Sequence, residues 1–407
     1  MLHRNVRGKV VVASYHLWDW PFKAGMHYLT EFFIARGWDV AFLTVPFSLL
    51  TIANVVRSRE TGRVGSLLGN WCRNGVYERD GRLVHYAPLT LVHPSADLPV
   101  CRRFLSSERL VNGFLGTAVP SLAGWLTRRG FGAPDLLVVE SGASMAVAEV
   151  IDSKMLVYRI SDDPADTAKP ANVVDLEGRL LKKAGVVLAV SRPILQSAVE
   201  RRGREDGVYY LPNGVDIPAF EHQQPSPPEY RCIPRPRAVY VGGVSPEMLD
   251  YPLIFETARR LPPIQFVIIG PVVGGLPPLM PENVHFIGAV NHRALPGYLQ
   301  HADVGLIPFR RSKMFAKLER PLKFYDYLAS GLPVVATDCG HTRAMEPYAT
   351  VVDSAGAFAE ATARAVKIED GDRADLQRAA ATFSWANRYV DLDHILRCHG
   401  FDSSQSA

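Results

Sequence analysis

Short apolar runs alternate along the chain with longer stretches in which apolar residues recur every three or four positions. That pattern predicts parallel sheets whose strands are joined by amphipathic helices. In the first half, Lys9–Ser14 (KVVVAS), Asp39–Thr44, Leu136–Glu140, Met155–Tyr158 and Val186–Val190 read as strands. Residues Gly25–Arg36 read as the helix joining the first two, with Gly37 in the position that ends it. In the second half the alternation returns with strands at Ala238–Gly242, Gln265–Gly270, Val284–Gly288, Val304–Pro308 and Leu332–Thr337, and Ser384–His399 reads as a terminal amphipathic helix. The stretch from Arg57 to Pro99 fits neither period and is expected to hold hairpins or excursions beside the first sheet.

Between the two series lies Glu221–Arg237 (EHQQPSPPEYRCIPRPR), with five prolines and little apolar periodicity, the composition of a semi-rigid spacer. The expected organisation is therefore residues 1–220 as one Rossmann-like domain, 221–237 as linker, 238–384 as a second such domain, and 385–407 as a closing helix and tail. A length of 407 residues suits two cores. Net charge of +4 permits attraction to phosphates or anionic lipid without marking a nucleic-acid binder. The five cysteines are scattered, with no spacing for a disulfide framework or a zinc site, which fits a reducing cytoplasm. No apolar run approaches the ~20 residues that span a bilayer, and the one near the N-terminus is shorter than the ~7–15 residues of a signal-peptide core.

The segment richest in chemistry is Arg320–Thr337 (RPLKFYDYLASGLPVVAT). Pro321 suits the opening of a helix, where its missing N–H has no intrahelical partner. Leu322 and Lys323 then fall in the first turn, beside free backbone N–H groups and the positive end of the helix dipole, a natural seat for a diphosphate. Asp326 follows three residues later on the same face, placed to accept from ribose hydroxyls. A surface lysine on an ordinary helix–strand unit would give the same string. Gly242 and Gly243, directly after a strand, allow the backbone close to a ligand, although turns need glycine equally. Asp162 and Asp163 sit at a strand's C-terminal edge, where a carboxylate can take a proton from an acceptor hydroxyl. Asp-Asp-Pro is also an ordinary helix N-cap, with Asp163 capping and Pro164 in the first turn.

Taken in order, Arg320–Thr337, Leu211–Asp216 (LPNGVD) and Phe383-Ser384-Trp385 resemble the nucleotide-sugar segment, the PNGVD segment and the C-terminal SW element of GT-B glycosyltransferases. The resemblance implies two Rossmann-like domains facing across a cleft, with a C-terminal helix crossing back to the N-terminal domain. It implies that the first domain binds the acceptor and the second the donor. Val138–Gly142 (VVESG), Val157–Asp162 (VYRISD) and the stretch from His16 to His27 further resemble the glucuronosyltransferases of xanthan-type exopolysaccharide synthesis, the GumK type. Those enzymes are inverting, membrane-associated transferases acting on polyprenyl-diphosphate-linked oligosaccharide. Carried over, the resemblance makes Asp162 the general base and Lys323 the phosphate contact. It places Gly288 and Val290, in Phe286–Val290, at the nucleobase, with Phe309 lining the same pocket. Two departures, Asp326 in place of glutamine and Gly243-Val244-Ser245 in place of a methionine-containing loop, leave the donor sugar open.

The loop between the first strand and helix faces the acceptor in such enzymes. Here it carries His16, Trp18, Lys23 and His27, which suit sugar stacking or a membrane interface. Buried staples and a satisfied helix histidine would read the same. Arg102, Arg103 and Arg109, mixed with apolar residues, suit anionic lipid or an acceptor diphosphate, or else a solvated helix face. Asp303 and Asp353 stand alone rather than in a DxD triplet, so no metal and no cofactor is expected, Lys323 taking the metal's place. The expected partners are a UDP-sugar, with UDP-glucuronate a candidate, and a lipid-linked carbohydrate acceptor in bacterial exopolysaccharide synthesis, not nucleic acid. The expected place is the cytoplasm, peripheral on the inner face of the cell membrane. A UDP-sugar epimerase and a catalytically silent scaffold of the same fold remain alternatives. A dinucleotide oxidoreductase is disfavoured, since no G-x-G-x-x-G follows either opening strand.

Overall fold

A computed structural model describes residues 7–20, 22–44, 46–49, 52–53, 61–91, 113–163 and 171–401. The chain divides into two compact units, one of Met1–Leu211 with Tyr389–Ala407, the other of Pro212–Arg388. Among the described residues no helix is long and apolar enough to cross a membrane.

The first unit is built on strands β1 (Lys9–Ser14), β2 (Asp39–Thr44), β3 (Val76–Glu78), β4 (Leu83–Tyr86), β7 (Leu136–Glu140), β8 (Met155–Ile160), β9 (Val186–Ala189) and β10 (Val208–Tyr210). They lie in the order β10-β9-β8-β7-β1-β2-β4-β3, all parallel except the β3–β4 pair. A separate antiparallel ribbon pairs β5 (Leu89–Thr90) with β6 (Ala118–Val119). Val10, Val11 and Val12 are fully buried because helices cover both faces of a parallel sheet. Helix α1 (Gly25–Ala35) lays Met26, Leu29, Phe32 and Phe33 on one face of this sheet. Helices α2 (Ala171–Lys183) and α3 (Arg192–Arg202) contribute Leu176, Leu180 and Ile194 on the other.

In the second unit, β11 (Arg237–Val241), β12 (Gln265–Ile269), β13 (Val284–Gly288), β14 (Val304–Ile307), β15 (Val334–Thr337) and β16 (Ala349–Val352) form an all-parallel sheet ordered β13-β12-β11-β14-β15-β16. Helix α4 (Leu322–Ala329) joins β14 to β15. The proline-rich stretch 221–237 lies within this unit, where Tyr230 and Ile233 are buried in its core. Helix α5 (Trp385–Cys398) starts in the second unit and ends in the first, where Leu392, Ile395 and Leu396 join the core beside Phe32.

The expected strands appear with ends shifted by one or two residues. The Arg57–Pro99 stretch holds a hairpin, β3–β4, as expected, but within the main sheet rather than beside it, with Leu83–Tyr86 parallel to β2. Four residues, one of them His85, are too few to display a period. In each sheet the strand order reverses beside the opening strand, between β1 and β7 and between β11 and β14. At such a switch point the loops diverge and leave a crevice at the C-terminal ends of the strands.

Candidate functional site

Each unit carries a polar cluster at its own switch point. In the second, the Tyr327 hydroxyl accepts the Val241 N–H at 3.0 Å and donates to the Leu306 carbonyl at 3.2 Å. Those two bonds tie α4 to the tips of β11 and β14 and set where its first turn lies. Lys323, only 9% exposed, projects from that turn between two rings, with Nζ 4.1 Å from the Tyr240 centroid and 4.4 Å from that of Phe309. Ring quadrupoles compensate part of the lost hydration of the ammonium. Burial still pulls its pKa down to about 7, with Asp326 acting against the shift. Asp326 is half-buried, and burial first, then the charge of Asp216, push its carboxyl up to about 7, opposed by Lys323.

Gly242 follows β11 at φ +143°, and a Cβ there would stand 2.6 Å from Lys323 Nζ. Only glycine lets the backbone run under the ammonium. The Gly243 carbonyl accepts the Tyr240 hydroxyl at 2.8 Å, holding that ring in place. Phe309 is buried, stacked on Phe315 at 4.4 Å, so it is both a core aromatic and a wall of the lysine's cage. Leu322 and Val290 are half-buried, and Gly288 ends β13 with its carbonyl accepting the Gly270 N–H at 2.8 Å. The structure thus gathers Gly242, Phe309 and Lys323 around one cation and adds Tyr240, which the sequence reading passed over as an ordinary strand residue.

In the first unit, Asp162 is exposed at the turn leaving β8, its N–H donating to Ser141 Oγ at 3.2 Å. The neighbouring Asp163 is buried and accepts from Ser197 Oγ at 2.9 Å and from Arg201 at 3.2 Å. Arg201 also clasps Glu177, which accepts the Tyr158 hydroxyl at 2.7 Å. Burial raises the Glu177 pKa, and Arg201 opposes the rise. The Asp163 side chain is thereby committed inward, leaving Asp162 as the outward-facing carboxylate of the two. Pro164, and with it the expected helix start, lies outside the described residues, as do Arg102, Arg103 and Arg109.

The loop after β1 holds an aromatic cluster. His27 is 1% exposed, with Nδ1 accepting the Ala24 N–H at 3.1 Å and Nε2 donating to the Leu17 carbonyl at 2.9 Å. Burial lowers its pKa to about 4, so the ring is neutral at physiological pH. With both nitrogens engaged, His27 shapes the loop from inside. Trp18 stacks on it at 5.5 Å and donates Nε1–H to Glu78 at 2.9 Å. His16 is half-buried, 6.2 Å from the His27 ring, whereas Lys23 stands 5.6 Å over Tyr28.

Comparison with known proteins agrees with this division. Residues 12–190 match the family model of the glucuronosyltransferase GumK, N-terminal domain, and residues 235–367 that of the glycosyl transferases group 1. The chain is 25% identical over 332 residues to the UDP-glucuronate:glycolipid 2-beta-glucuronosyltransferase of Xanthomonas campestris pv. campestris, covering 80% of this chain and 76% of that protein. It is 30% identical over 183 residues to the putative teichuronic acid biosynthesis glycosyltransferase TuaH of Bacillus subtilis, covering 42% of this chain and only 45% of that protein. Among solved structures, sucrose-phosphate synthase of Thermosynechococcus elongatus superposes with a TM-score of 0.65 at 15% identity, covering 97% of this chain and 99% of that one. Anabaena HepE in complex with UDP and glucose superposes with a TM-score of 0.64 at 13% identity, covering 96% of this chain and 100% of that one.

Proposed function

From the premise that this chain is a glycosyltransferase of the GT-B architecture with a GumK-like first half, we propose that it moves glucuronate from UDP-glucuronate to a polyprenyl-diphosphate-linked oligosaccharide. The second unit takes the donor and the first the acceptor. The acceptor hydroxyl gives its proton to the Asp162 carboxylate as its oxygen forms the new bond to the anomeric carbon. The bond from that carbon to the diphosphate breaks, and UDP leaves with the electron pair, its charge met by the Lys323 ammonium. Attack opposite the leaving group inverts the anomeric centre. Asp326, where the family resemblance has glutamine, faces the ribose; in its neutral form it donates a hydrogen bond as the amide would.

The observation that carries this reading is the buried ammonium of Lys323 at a helix start, above a glycine that leaves it room. The named Xanthomonas relative supports the donor and the lipid-linked acceptor, and with them a peripheral place on the inner face of the cell membrane. Asp162→Asn is expected to abolish transfer from UDP-glucuronate while leaving UDP binding by calorimetry intact, and Lys323→Ala to weaken that binding. Turnover retained by Asp162→Asn rejects the base; UDP binding indifferent to Lys323→Ala rejects the donor site.

A further inference from the structure

One buried carboxylate at the first unit's strand tips takes no part in the transfer step. Glu140, the last residue of β7, is 4% exposed. Its Oε2 accepts the Ser14 hydroxyl at 2.7 Å and the Tyr15 N–H at 3.2 Å, and its Oε1 accepts the Ser161 hydroxyl at 2.9 Å. Ser161 Oγ in turn accepts from Arg159 at 3.1 Å. That guanidinium is 1% exposed, and burial lowers its pKa against the opposing charges of Glu140 and Asp162. Space for it comes from Gly25, the first residue of α1, where a Cβ would lie 2.4 Å from Arg159 Nη1. Ser141 Oγ adds a second tie, accepting the N–H groups of both Ser161 and Asp162 at 3.3 and 3.2 Å.

These bonds have a direction. Ser14 and Tyr15 begin the loop that carries His16, Trp18 and Lys23, whereas Ser161 begins the turn that presents Asp162. A carboxylate accepting from both segments joins them through groups far apart in sequence. Burying a charge at such a place is costly unless it is paired and hydrogen-bonded, and apolar packing would hold three strand tips at lower cost. What a carboxylate adds is a fixed distance and a charge shared with Arg159.

We propose that Glu140 is a positioning residue for the transfer: it locks the loop after β1 to the turn bearing Asp162, so that acceptor loop and base move as one body. The inference rests on Asp162 being the base. Glu140→Gln keeps the shape but replaces one accepting oxygen with a donating amide. With its oxygen kept for the Ser14 hydroxyl and the Tyr15 N–H, the amide faces Ser161, whose hydroxyl already accepts from Arg159 and must turn from donating to accepting. The guanidinium also loses the opposing charge of Glu140 while keeping that of Asp162.

The test measures Glu140→Gln, Glu140→Asp and Asp162→Asn in the full chain, with UDP-glucuronate and a detergent-solubilised polyprenyl-diphosphate oligosaccharide as substrates. For Glu140→Gln, kcat is expected to fall at least about tenfold with the donor KM unchanged. The acid limb of its kcat profile moves to lower pH, because removing the negative charge of Glu140 beside Arg159 favours the ionised base. Hydrogen exchange speeds up together at the amides of Tyr15 and Asp162. Glu140→Asp, which keeps the charge, returns the acid limb towards its original position. Normal kcat with an unmoved limb overturns the proposal, even where Glu140→Gln melts earlier, since that is the signature of a purely structural plug. Exchange quickening at only one of the two amides overturns it as well. Turnover by Asp162→Asn instead overturns the assignment of the base.

Discussion

Raising the pH from 6 to 8 should weaken donor binding by about tenfold, and the lysine cage sets that figure. Lys323 is charged in bulk water throughout this range, but its pKa in the folded protein lies at about 7. The free protein at pH 6 is about nine-tenths in the ammonium form and at pH 8 about one-tenth. If the diphosphate binds only the charged form, apparent affinity scales with that fraction, a loss of about 1.4 kcal/mol across the interval. Asp326, also raised to about 7, steepens the dependence if it must be neutral to donate to the donor. The sign is the same for both groups: each is more protonated in the complex, so binding takes up protons, and higher pH opposes it. Titration calorimetry with UDP-glucuronate, whose own charges do not change between pH 6 and 8, measures this directly. Heats compared in two buffers of different ionisation enthalpy give the proton count, expected to be about one-half at pH 7 for the lysine alone and about one where Asp326 takes up a proton as well. A flat affinity, or net proton release, refutes the reasoning. Lys323→Arg, whose guanidinium stays charged, should flatten the lysine's share of the slope.

Two further outcomes follow from the same geometry. Gly242→Ala places a methyl 2.6 Å from Lys323 Nζ at a backbone φ of +143°, and should cut UDP-glucuronate affinity by on the order of tenfold, seen in the same calorimetry while the circular-dichroism melt stays cooperative. Arg201→Met strands two carboxylates whose side chains are 2% and 0% exposed, Asp163 and Glu177. It should lower unfolding free energy in urea by about 3 kcal/mol, the loss being smaller in acid, where the carboxylates can protonate.

The helix start that carries Lys323 was legible in the sequence because its pattern is local. Pro321, Lys323 and Asp326 lie within six residues of one another, and a helix start dictates which of them share a face. The cage around the ammonium was not legible as such. Tyr240 belongs to β11, Phe309 follows β14, and only the sheet order brings those tips together. The same holds for Glu140 and Ser14, 126 positions apart yet 2.7 Å from carboxylate to hydroxyl. The bonds of His27 were not legible either: that the Ala24 amide and the Leu17 carbonyl engage both its nitrogens depends on how the loop after β1 folds. Strands β4, β10 and β16, of three or four residues each, are too short for alternation to register.

Helix α5 brings a consequence for how the protein is made. Tyr389 donates its hydroxyl to the Tyr28 carbonyl at 2.9 Å, Asp393 pairs with Arg36, and Leu392 and Leu396 are all but fully buried in the first unit. The first unit therefore waits with an uncovered apolar face over α1 until the whole second unit and then residues 389–398 have been translated. A nascent chain or a truncation ending before Tyr389 exposes that face to chaperones and proteases, so the first unit is completed only after the second has been made.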